Sequence, residues 1–197
     1  CYRFEALVMS VGLWVVLGIV VLLAIVVIGI YNGLVAGRQE VRNAWSQIDI
    51  QLKRRHDLIP NLVNAVKDSM QVEKSQLTAV IEARNQAVSA PTPADAMKAE
   101  NALTGTLRQL FALVESYPQL RSQQNVSGLM EELSSTENRI SFARQHYNDA
   151  VQAQNIRVKS FPGVLLASSF GFSTETMFEV GEAERAAVEA VPEVRLS

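Results

Sequence analysis

Two histidines, His56 and His146, are the side chains best suited to proton transfer or metal ligation in this 197-residue chain, and their neighbours argue against both roles. A carboxylate-bridged di-iron centre in a helical bundle takes a Glu three residues before each His, so that both ligands project from one helical face. Those positions hold Lys53 and Ala143. The H-E-x-x-H zinc pattern, the G-x-S-x-G turn that exposes a nucleophilic serine and the G-x-x-x-x-G-K phosphate loop do not occur in the sequence. The densest charged group is Glu131, Glu132 and Glu137 with Arg139 and Arg144, which Lys53, Arg54 and Arg55 could face from another helix. Such a set reads either as inter-helix ion pairs, each contributing under about 1 kcal/mol when exposed, or as a face presented to a partner. The expectation is a non-enzymatic protein with no catalytic residue, no cofactor and no metal.

Charge and composition narrow the partners. Lys and Arg number 18 against 20 Asp and Glu, a net charge of -2, and no basic block is long enough to neutralise a run of phosphates. Nucleic acid is therefore not an expected partner. Aromatic residues make up 7% of the chain, and Ala, Val, Leu, Gln, Glu and Ser dominate after residue 31, a bias toward long helices over sheets. Cys1 has no second cysteine to pair with, so the fold must rest on packing. Because a chain normally starts with Met, Cys1 reads as a point of truncation, with a lipid-modified first cysteine as the alternative.

From Ala6 to Ile30 no residue is charged. At about 1.5 Å per residue, a helix of this length crosses a hydrocarbon core of about 30 Å. The run is too long for a secretory signal and passes into helix without a small-residue cleavage site, so it reads as a retained anchor, residues 1–30, with the lipid bilayer as its partner. Only Arg3 precedes it, whereas Arg38, Arg42, Lys53, Arg54 and Arg55 follow; the positive-inside rule puts the N-terminus outside and the remainder in the cytoplasm. Gly29, Gly33 and Gly37 fall at four-residue steps, a spacing that lets membrane helices approach closely and associate. The competing reading is a flexible joint between anchor and helical domain.

Past the anchor, Val41, Trp45, Ile48, Leu52, Ile59, Val63, Val66 and Met70 recur at helical spacing. They predict one long helix reaching about Ala90, with a kink or short restart at Pro60 and a break at Pro91 and Pro93. Leu103, Leu107, Leu110, Val114 and Tyr117 predict a second helix from about Ala94 to Pro118. Val126, Leu129, Leu133, Thr136, Ile140, Ala143, Tyr147, Ala150, Gln154 and Val158 predict a third, ended by Phe161-Pro162-Gly163. Three such helices with short connections make an all-α, antiparallel, coiled-coil-like bundle over residues 31–162, continuous with the transmembrane helix. Residues 163–197 hold an apolar segment with Leu165, Leu166, Phe170 and Phe172, then an acidic tail from Glu179 to Glu193. The apolar segment either folds back over the bundle end or meets a neighbouring subunit or the bilayer surface.

The run from Tyr31-Asn32 through Val41-Arg42-Asn43-Ala44-Trp45-Ser46-Gln47-Ile48 to Lys53-Arg54-Arg55-His56-Asp57-Leu58-Ile59-Pro60-Asn61-Leu62-Val63 closely resembles the LemA family. The likeness continues in Glu82-Ala83-Arg84, in Glu131 to Ile140 with Phe142-Ala143-Arg144 and Tyr147-Asn148, in Ser160-Phe161-Pro162 with Phe170-Gly171-Phe172, and in Val191-Pro192-Glu193-Val194. It departs from the usual pattern at Cys1 and at His56, where a small residue is commoner. The resemblance implies a bacterial single-pass protein of the inner (plasma) membrane with a cytoplasmic helical bundle. It supplies no enzyme activity. One branch of the family is associated with magnetosome membranes, and some members are encoded near membrane proteases.

Together these features lead to the expectation of a homo-oligomeric scaffold that self-associates through Gly29, Gly33, Gly37, Leu165, Leu166, Phe170 and Phe172 and organises or shapes the membrane. The alternative is an adaptor that presents Lys53, Arg54, Arg55, Glu131, Glu132 and Glu137 to a membrane protease or another membrane enzyme.

Overall fold

The computed structural model describes residues 2–69 and 74–178. Among these, every regular element is a helix: α1 (Tyr2–Ser69), α2 (Lys74–Val88), α3 (Pro93–Ser116), α4 (Pro118–Arg121), α5 (Gln124–Lys159) and α6 (Gly163–Ala167). The chain is thus all-α, a long apolar N-terminal helix followed by further helices. Cys1, Met70, the acidic tail and Val191–Val194 lie outside the described residues.

The helix expected to run to about Ala90 is two elements. Arg84 Nε on α2 donates to the backbone carbonyl of His56 on α1 at 2.8 Å. Were residues 56 to 84 one straight helix, that carbonyl would lie roughly 40 Å away. The chain therefore doubles back between α1 and α2, which buries Leu77, Val80, Ala83 and Ala87. A straight continuation would leave that stripe in water, and period alone does not distinguish the two paths. Nor is α1 interrupted at Pro60. Proline lacks the N–H that would bond the carbonyl four residues back, and that orphaned carbonyl belongs to His56. Arg84 supplies the missing donor, so one guanidinium both satisfies the carbonyl orphaned by Pro60 and ties α2 to α1.

Two compact units form, each built from separated stretches of chain: residues up to Asn43 with Asp149–Glu175, and Ala44–Asn148 with the described residues from Thr176 on. In the second unit, Ile59, Leu62 and Val66 of α1, Val80 of α2, Leu103, Leu110 and Val114 of α3 and Val126 and Leu133 of α5 form one apolar core. Each side chain of this size contributes about 1.5–3 kcal/mol on burial. α5 runs antiparallel to α1, as Trp45 meets Tyr147 edge-on at 5.5 Å while Arg54 pairs with Glu132. α3 starts where the prolines require it. Pro93 takes the first turn, and Thr92 Oγ1 accepts from the Asp95 N–H at 3.1 Å while its hydroxyl donates to the Asp95 carboxylate at 2.6 Å.

In the first unit, Leu34, Val158, Ala167 and Phe172 make a small core against which Ile30 packs. Gln154 Nε2 reaches the Leu34 carbonyl at 3.2 Å. Gly171 adopts φ 69°, the left-handed conformation glycine favours, and its carbonyl accepts from Arg38 Nη2 at 2.6 Å. The same guanidinium lies over the Phe172 ring.

Candidate functional site

Arg55 lies three residues after Leu52 and four before Ile59, on the buried stripe of α1. Glu100 occupies the equivalent place on α3, three before Leu103 and seven before Leu107. Two oppositely charged residues thus take core positions on facing helices. Arg55 is 0% exposed and Glu100 1%. The Arg55 guanidinium donates from Nη2 to Glu100 Oε2 and from Nη1 to Glu137 Oε2 on α5, and also to Thr104 Oγ1 at 3.0 Å. His56 Nε2 lies 2.7 Å from Glu100 Oε1. An ionised carboxylate only accepts, so Nε2 carries the proton in that bond.

This cluster pins α1, α3 and α5 together, and its polar groups bond to one another except Arg55 Nε, which is buried without a hydrogen-bond partner. Thr104 Oγ1 accepts from Arg55 Nη1 and donates to Glu137 Oε1 at 3.4 Å, which ties it to both partners of the ion pair. Among the described residues no group of three or more His, Cys, Asp or Glu is placed to hold a metal ion. His56 and Glu100 border an open groove of about 480 Å³ whose walls include Trp45, Asp49, Lys53 and Arg84.

Burial pushes the Glu100 carboxyl upward, but the His56 hydrogen bond and the Arg55 charge outweigh this and hold it below the ordinary 4.5. A carboxyl depressed in the folded state adds stability above its unfolded pKa, and that stability is lost as pH falls through the folded value. Melting temperature should therefore fall as pH drops below about 4.5, and Glu100→Gln should flatten that acid limb while lowering stability near neutrality. A thermal melt series from pH 3 to 7 reads both effects; equal acid slopes for the two proteins would refute the assignment.

The structure divides the expected partner-binding face. Lys53, Arg54 and Glu131 are exposed and Glu132 is half-buried, with Arg54 Nη2 2.5 Å from Glu132 Oε1. Glu137 is partly covered, and Arg55 is interior and cannot present itself to a partner. His146 sits exposed beside Phe142, away from the buried cluster. The glycines and apolar residues expected to self-associate also separate. A Cβ on Gly29 or Gly33 would meet open space, whereas on Gly37 it would collide with the side chains of Gln154 and Arg157. Phe172 is buried and Leu166 half-buried, while Leu165 and Phe170 stay exposed. Glu100 and Thr104 went unrecognised in the sequence, although their placement on the Leu103–Leu107 stripe marks a buried polar position.

A family model described as the LemA family matches residues 44–195. The chain belongs to the LemA family. That match contains the whole α1–α3–α5 charge cluster. Two relatives from Paramagnetospirillum magneticum, named magnetosome protein MamQ 1 and magnetosome protein MamQ 2, are each 25% identical over 175 residues, covering 76% of this chain and 64% of the relative. Magnetosome protein MamQ of Magnetospirillum gryphiswaldense is 25% identical over 174 residues, 75% of this chain and 64% of the relative. The LemA-family chain thus spans just under two thirds of these relatives. Its apolar N-terminal helix and these relatives point to a membrane location, and the names in both comparisons describe no reaction.

Proposed function

We propose that this LemA-family chain is a non-enzymatic, membrane-anchored helical scaffold that self-associates and organises or shapes the bacterial membrane. The observation that carries the proposal is the bare apolar part of α1: from Gly12 to Val26 every residue is exposed, and the apolar window is 0% buried within the chain. Lipid or another membrane helix must cover it. Gly29 and Gly33 leave an open small-residue ridge at its end, the kind of surface through which membrane helices pack. By the positive-inside rule the N-terminus lies outside the inner membrane and the helical domain in the cytoplasm. The magnetosome relatives suit a role in organising a membrane.

A second reading, an adaptor for a membrane protease or another membrane enzyme, draws on the exposed charges of Lys53, Arg54 and Glu131. Extraction from native membranes in mild detergent separates the two. A scaffold comes out as a large homogeneous particle of this chain alone, and Gly33→Leu should reduce it to monomer. A wild-type monomer, or a stoichiometric complex with a different protein, would overturn self-assembly.

A further inference from the structure

We propose that the α5–α6 turn and the segment to Phe172 lie in the headgroup layer of the bilayer beside the point where α1 leaves it, with Phe161, Val164, Leu165 and Phe170 dipping toward the acyl chains. The proposal rests on α1 spanning the membrane. In the unit that contains this part of α1, α5 descends antiparallel to it. Gln154 bonds the Leu34 carbonyl, Val158 packs with Leu34, and Phe161, Pro162 and Gly163 line a small groove with Ile30 and Gly33. The turn therefore reaches the level of Ile30, the last residue of the unbroken apolar stretch before Tyr31 and Asn32, with the first charge following at Arg38. Phe170 is held at that level too, edge-on to Tyr31 at 5.1 Å.

The interfacial layer on each side of a hydrocarbon core is about 5–8 Å thick. Residues level with Ile30 to Gly33 fall within it once α1 spans. Four large apolar side chains are exposed there: Phe161 at 78%, Leu165 at 64%, Val164 at 46% and Phe170 at 45%. In water such a patch would be unfavourable; at the membrane edge it continues the apolar surface of α1 onto a second element. Tyr31 supplies the amphipathic ring common at this depth. Charge agrees, for no Asp or Glu occurs between Asp149 and Glu175, while Arg157 and Lys159 stand exposed just before the turn. Such cations favour anionic headgroups.

The test uses the full chain with Cys1→Ser and one new cysteine at a time, Phe161→Cys, Leu165→Cys, Val20→Cys or Ala102→Cys, each carrying an environment-sensitive fluorophore. Vesicles of phosphatidylcholine and phosphatidylglycerol receive the protein, and spin-labelled lipid or aqueous iodide serves as quencher. Phe161 and Leu165 are exposed, so substitution there leaves the packing intact. Labels at 161 and 165 should be quenched by lipid several-fold more than the Ala102 label, and iodide should show the reverse order. If the Val20 label is quenched by lipid while those at 161 and 165 are open to iodide, the docking proposal fails and the span stands. If the Val20 label is itself open to iodide, both fail. Shielding of 161 and 165 from both quenchers would overturn docking in favour of a second copy covering the patch.

Discussion

Arg55→Met is expected to destabilise the protein by about 3–5 kcal/mol, the usual consequence of removing one partner from a buried ion pair. For a chain of this size that corresponds to a drop of roughly 6–20 °C in melting temperature. The substitution keeps most of the apolar volume, so the loss is not one of packing. It comes from Glu100, which is 1% exposed and would keep its His56 hydrogen bond but lose the Arg55 guanidinium. Glu137 suffers less because a third of its side chain is exposed and water can solvate it. This asymmetry makes a second expectation specific: adding Glu100→Gln to Arg55→Met should restore at least half of the loss, whereas adding Glu137→Gln should restore little. Thermal unfolding of the full chain in detergent, followed by circular dichroism, reads all three. An Arg55→Met protein that melts within about 2 °C of the parent, under 1 kcal/mol, would show that the guanidinium does not hold the helices together.

Arginine at both Leu17 and Val21 should abolish membrane integration. Each replacement at the centre of a spanning helix turns a favourable contribution of a few tenths of a kcal/mol into a cost of about 2.5–3.5 kcal/mol, so the pair shifts the balance by roughly 6–8 kcal/mol. Among the described residues neither is buried against another element, Leu17 being 52% and Val21 51% exposed, so the helical domain should fold as before. The parent chain should stay in the pellet after alkaline carbonate extraction of membranes, and the double variant should be released with its helix content retained. Release of the parent chain would rule out a spanning helix, and a double variant that remains in the pellet would mean that another surface holds the protein to the membrane.

What local pattern can specify was already visible in the residues. The uncharged run from Ala6 to Ile30 needs no tertiary partner to be read, since length and polarity alone decide whether a helix can cross a bilayer. The stripes of α3 and α5 and their proline boundaries are likewise local, because a 3.6-residue period and a missing N–H act within one or two turns. Three features required the folded chain. The reversal between α1 and α2 is hidden because an apolar stripe has the same period whether its partner lies ahead or behind. The interior position of Arg55 is hidden because a cation beside Lys53 and Arg54 looks like part of a solvated face, and it becomes favourable inside only when Glu100, 45 residues away, arrives to meet it. The roles of the glycines differ for the same reason: Gly29, Gly33 and Gly37 are equivalent by spacing, but the side chains of Gln154 and Arg157 cover Gly37 alone. Each depends on contact between residues distant in the chain, where the pairing of charge and shape is set by packing, not by periodicity.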